Sequence, residues 1–89
     1  MTRQGAYEAK ALAALRTARM ALQAGDVEGA ADRAYYAMFH AVTGKLLSKG
    51  ASPPKTHAGL ASLFAEQCIK TGEYPSELSR LLASVARLR

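Results

Sequence analysis

Apolar residues recur along this chain at the three- and four-residue spacing of helices, never in the sustained alternation of a strand, so the predicted elements are all helical. The first helix is expected over about 2–24, where Tyr7, Ala11, Leu15, Ala18 and Leu22 form a stripe amid strong helix formers. Gly25 is a natural stop, and Asp26 can cap the next helix by accepting from its first free amide hydrogens. That second helix spans about 26–48 and turns Tyr35, Met38, Phe39, Val42 and Leu46 toward a core. Gly50 closes it, and the consecutive Pro53 and Pro54 force a loop. A third helix over about 56–70 carries Leu60, Leu63, Phe64 and Gln67 on one stripe, broadened by Ala61, Ala65, Cys68 and Ile69. Thr71 and Gly72 end it. Pro75 and Ser76 open a fourth helix over about 76–89, with Leu78, Leu81, Leu82 and Val85 facing inward. No stop signal precedes Arg89, so the last helix is expected to be cut short or followed by another. Short connections favour antiparallel neighbours, and the expected architecture is all-α, a single domain over 1–89 built as an up-and-down four-helix bundle.

The second helix has an unusual opposite face. Arg33, Tyr36 and His40 (i, i+3, i+7) line up there beside the small residues Gly29, Ala37 and Gly44. Arg33 and His40 lie roughly 10 Å apart along the axis, a gap that long side chains largely close. Such a face is too polar for a core and too flat for an ordinary solvent surface. A homodimer, with this helix beside its symmetry mate, accounts for it economically, because a two-fold axis uses one patch twice.

Eighty-nine residues, 49% of them hydrophobic, suffice for one small core, which burial against a second copy would help. The formal net charge of +5 favours an anionic partner such as RNA or a nucleotide, although the basic residues are scattered and mark no groove. No apolar stretch is long enough to span a membrane and no signal-peptide core follows Met1, so the expected location is cytoplasmic. The lone Cys68 excludes an internal disulfide and a cysteine-rich metal site, and its spacing reads as a small buried hydrophobe. No metal or other cofactor is expected.

The run Arg33-Ala34-Tyr35-Tyr36-Ala37-Met38-Phe39-His40-Ala41, an arginine and a histidine with six residues between, resembles the signature helix of the HEPN domain (higher eukaryotes and prokaryotes nucleotide-binding). Leu46-Leu47-Ser48-Lys49-Gly50, Ser52-Pro53-Pro54-Lys55-Thr56-His57 and Lys70-Thr71-Gly72-Glu73 resemble its small stand-alone prokaryotic branch. The resemblance implies a helical bundle of HEPN type that usually continues into further helix. It also implies a metal-independent endoribonuclease with a composite site at a homodimer interface, often a toxin encoded beside a small nucleotidyltransferase antitoxin. Cleavage through the 2′-hydroxyl needs a base, an acid and positive charge for the phosphate. Two copies would supply His40 twice and pair the Arg33 guanidiniums around the phosphate.

Substrate-binding candidates are Tyr36, which could stack on a base or bond a phosphate oxygen, His57 at the start of the third helix, and Lys55. The resemblance also makes Tyr36 a candidate acceptor for adenylylation by the nucleotidyltransferase. The family's ribonucleases carry a polar residue directly after the arginine, where this chain has Ala34. Asp32, on the other side, points about 100° away. An alternative thus stands beside catalysis: a non-catalytic HEPN module that binds a nucleotide or a nucleotidyltransferase partner. Arg33 would then pair Asp26, Glu28 or a partner's carboxylate, His40 would be a half-buried ring, and His57 would cap or pack.

Overall fold

The computed structural model describes residues 2–88 and contains four α-helices, with no strand among the described residues: α1 (Arg3–Gln23), α2 (Val27–Ser48), α3 (His57–Phe64) and α4 (Glu77–Leu88). This is the predicted all-α class. The capping signals work as read. Thr2, Asp26 and Thr56 each accept from the amide three residues on, Gly5, Gly29 and Gly59, at 3.0, 2.9 and 3.1 Å. At the end of α1, Gly25 takes φ +82°, which lets its amide reach the Leu22 carbonyl and that of Asp26 reach Ala21. The same pair of bonds closes α2 around Gly50. Beyond α3 the helix relaxes into a π-helical turn, Ala65–Ile69, closed by the Lys70 amide on the Ala65 carbonyl.

The core sits on the second half of α2. Val42 and Leu46 meet Leu60, Phe64 and Cys68 there, with Phe39, Leu63, Ile69, Tyr74 and Leu78 packed around them. Leu46 and Cys68 are fully buried, as expected of a small hydrophobe at position 68. α1 lies antiparallel to α2 and covers its other side.

Three expectations need correction. The buried stripe of α1 centres on Ala14 and Ala18, whereas Leu15 and Leu22 are exposed, Leu22 at 61%. α1 seats on small residues of α2, and that close approach selects its alanine face. Second, Leu81 is exposed on α4, whereas Leu82 is buried. Third, the small residues of α2 serve the chain itself. A Cβ on Gly44 would stand 3.5 Å from the Gln4 carbonyl oxygen and from Tyr7 Cβ, and Ala37 is buried. Gly29 leaves room for the Asp26 carboxylate that caps its own helix. Gly44 thus admits α1, and Gly29 admits the helix's own cap. The expected continuation at Arg89 lies outside the described residues.

Candidate functional site

Helical spacing on α2 puts Arg33, Tyr36 and His40 in one row, and α1 extends that row. The Arg33 guanidinium stacks 4.7 Å from the Tyr36 ring centre, and Tyr36 is 6.2 Å from the His40 ring. On the far side His40 meets Tyr7 at 5.9 Å, and Lys10 sits 4.9 Å over Tyr7. A single imidazole is therefore flanked by two phenol rings, each carrying a cation on its outer face.

Electrostatics follow from this geometry. Burial against Tyr7 and Phe39 depresses the His40 pKa below its usual 6.5, and the positive charges of Lys10 and Arg33 depress it further. The imidazole is consequently neutral at neutral pH. Its Nδ1 is buried and has no hydrogen-bond partner among the described residues, which leaves Nε2 as the nitrogen for a ligand. Arg33 does not reach Asp26 or Glu28. Its side chain, 41% exposed, turns to the adjacent Asp32, with Nη2 donating to Oδ2 at 3.1 Å. Such a pair in solvent is weakly held and leaves the guanidinium exchangeable toward a phosphate.

His57 lies in a second ring cluster, 4.7 Å from Tyr35 and 4.6 Å from Phe39. Tyr36 stands 6.2 Å from both histidines and joins the two groups. Tyr35 is buried, as expected. Lys55, exposed in the loop before α3, borders a cleft that also reaches Tyr7 and Phe39. The predicted candidates thus fall around one end of the α1–α2 pair. What sequence reasoning missed is the part played by α1: Tyr7 appeared as a core residue and Lys10 not at all. The close approach at Gly44 was the available signal, since it brings the first turns of α1 beside His40. Among the described residues no group of three or more His, Cys, Asp or Glu is placed to hold a metal ion, and no helix is long and apolar enough to cross a membrane.

The family model for the HEPN domain matches residues 7–89. The chain belongs to the HEPN domain family. It is 34% identical over 74 residues to "UPF0332 protein" of Thermotoga maritima, an overlap of 83% of this chain and 55% of that protein. It is 45% identical over 49 residues to "Putative toxin MJ0142" of Methanocaldococcus jannaschii, covering 55% of this chain and 33% of that one. With "UPF0332 protein PH1297" of Pyrococcus horikoshii the identity is 38% over 58 residues, 65% of this chain and 40% of the relative. The HEPN chain thus spans between a third and just over half of these curated relatives. No solved structure matches it.

Proposed function

We propose that this HEPN protein is a metal-independent endoribonuclease whose site is completed by a second copy of the chain in the cytoplasm. The observation that carries this is the row Arg33, Tyr36, His40: a neutral imidazole with one ring nitrogen left for a ligand, one aromatic ring away from a guanidinium held by that ring and by a substantially exposed Asp32 pair.

In the reaction, Nε2 of one His40 takes the proton of the ribose 2′-hydroxyl, and O2′ attacks the adjacent phosphorus. The bond from phosphorus to the 5′-oxygen breaks. The second copy's histidine, in the minor fraction that carries a proton at neutral pH, gives that proton to the leaving oxygen. The products are a 2′,3′-cyclic phosphate and a 5′-hydroxyl end, with no net gain or loss of protons. Arg33 from each copy neutralises the charge that gathers on the phosphate oxygens, a role for which a planar fork is better suited than an ammonium. Because Ala37 and Gly44 are occupied by α1, the two copies would approach through the Arg33–Tyr36 end of α2. A toxin of this kind calls for a neutralising partner, for which a small nucleotidyltransferase is the proposed class.

A second role is favoured by the Arg33–Asp32 pair and by Ala34 beside it: a HEPN module that binds a nucleotide or a nucleotidyltransferase without cleaving RNA. The deciding experiment is cleavage of labelled single-stranded RNA in EDTA by wild type, Arg33→Ala and His40→Ala at matched dimer content. Cutting that both variants lose, leaving cyclic phosphate ends, supports the ribonuclease. A folded dimer that leaves RNA intact rejects it in favour of the binding module.

A further inference from the structure

A cleft of about 300 Å³ opens where the first turns of α1, the middle of α2 and the loop before α3 meet. Its walls are flat. Tyr7 and Phe39 contribute aromatic rings, and Pro53 and Pro54 contribute pyrrolidine rings. Arg3 and Lys55 stand at its mouth, both exposed and neither ion-paired among the described residues. At its base is Thr43, which is 6% exposed and whose hydroxyl proton is committed to the Phe39 carbonyl at 2.9 Å. That oxygen therefore offers only lone pairs to a ligand.

Aromatic and proline rings, a hydroxyl acceptor and two cations around one cleft describe a site for an unpaired nucleobase and its phosphate. A planar base stacks on aromatic and proline faces, an N–H on its edge meets Thr43 Oγ1, and the phosphate lies between Arg3 and Lys55. The placement adds a constraint. Tyr7 and Phe39 line the cleft and also touch His40, with ring centres 5.9 and 6.0 Å from the imidazole. A base held here would therefore lie one ring away from His40. Two other clefts, along Ala41 and Lys45, are lined by neither His40 nor a ring that touches it.

We infer that the cleft of Tyr7, Phe39, Thr43, Pro53 and Pro54, with Arg3 and Lys55 at its mouth, binds the base flanking the scissile phosphate of single-stranded RNA and selects its identity. This rests on the ribonuclease assignment of the neighbouring row. The test uses the full chain and a short single-stranded oligoribonucleotide with 2′-O-methyl groups, which cannot be cut. Binding is followed by amide chemical shifts and by affinity at several salt concentrations, with nucleoside monophosphates as a parallel arm.

In wild type the oligonucleotide should shift the amides of Tyr7, Phe39 and Thr43. The exposed pair Arg3→Glu and Lys55→Glu, remote from the core, should weaken binding about tenfold or more and flatten the log–log salt dependence by about 0.7 for each phosphate no longer neutralised. Thr43→Val, of nearly the same shape, should change the ranking of oligonucleotides that differ in one base. Unchanged affinity in the double charge reversal, or shifts confined to other helices, overturns the cleft. Tighter binding of a free monophosphate than of the oligonucleotide overturns its place on an RNA substrate. The two proposals separate cleanly: cutting that depends on His40 together with unaffected binding in the cleft variants removes the cleft alone. Binding in the cleft without any cutting of unmodified RNA removes the ribonuclease and leaves a nucleotide-binding cleft.

Discussion

The guanidinium carbon of Arg33 stands 4.7 Å from the ring centre of Tyr36 while its Nη2 bonds Asp32. Stacking uses the face of the guanidinium and leaves its edge for hydrogen bonds, so one side chain is both anchored and able to grip an oxyanion. A lysine keeps the charge and loses both the plane and the fork. Arg33→Lys should therefore lower RNA cleavage by about tenfold or more, and Arg33→Ala by about a hundredfold, with kcat falling more than KM rises. Because the side chain is substantially exposed, thermal unfolding of both variants should stay close to wild type. Single-turnover cleavage alongside calorimetry checks both statements.

His40 supplies a pH prediction with a definite sign. Its folded-state pKa is depressed, first by burial and then by Lys10 and Arg33, while the unfolded chain titrates near 6.5. Between those two values the unfolded state binds more protons, so stability rises with pH through the window. The contribution is fully present above about 6.5 and is lost as pH falls through the folded value. Lys10→Met should move the His40 titration upward without touching the ring contact of Tyr7. Following the His40 imidazole proton by NMR decides the matter: a midpoint at or above 6.5 in wild type contradicts the assignment.

Much of the fold was legible because its signals are local. Asp26, Gly25, Gly50 and the Pro53–Pro54 pair act on the backbone within a few residues, and the structure uses each where the sequence offers it. The facing of α1 was not local. Leucine periodicity favours the face of Leu15 and Leu22, yet helix packing is decided by what the partner presents, and α2 presents Gly44 and Ala37. The same long-range packing hid half of the candidate site. Arg33, Tyr36 and His40 share one helix and could be aligned by spacing, whereas Tyr7 and Lys10 reach His40 only once α1 has docked. The non-catalytic alternative pairs Arg33 with Asp26, Glu28 or a partner's carboxylate, whereas within the chain its side chain turns to the adjacent Asp32.

Docking of α1 is itself testable at Gly44. A Cβ there would make ordinary van der Waals contact at 3.5 Å with Gln4 and Tyr7. Alanine also has better helix propensity than glycine by up to about 1 kcal/mol, so Gly44→Ala should be neutral to stabilising. Two further methyl groups have no room. Gly44→Val should cost about 1–3 kcal/mol by overpacking and should weaken the packing of Tyr7 on His40, raising the His40 titration as water enters. Chemical denaturation of both variants, with the His40 titration recorded in parallel, tests this. Equal destabilisation by alanine and valine would show that α1 is not seated on this glycine.

Glu73 ties the turn before α4 to α2 by accepting from both Lys45 and Lys49, the latter at 2.7 Å. The hydrogen bond from Lys45, then that from Lys49, holds its carboxyl below the ordinary 4.5, and the same interaction with Glu73 raises the Lys45 pKa. For a carboxylate the sign is opposite in acid to that of a raised lysine in base. The Glu73 contribution is present above about 4.5 and disappears as pH falls through the folded value, while that of Lys45 is present below its usual 10.5 and is lost as pH rises through the folded value. Glu73→Gln should therefore lower the melting temperature at pH 7, and the difference should shrink as pH falls through the folded value. All three groups touch solvent, so 1 M salt should shrink the difference at pH 7. A gap between wild type and Glu73→Gln that persists undiminished at pH 2 would assign the effect to packing of the turn against Tyr74, over whose ring Lys45 lies at 5.5 Å, instead of to charge.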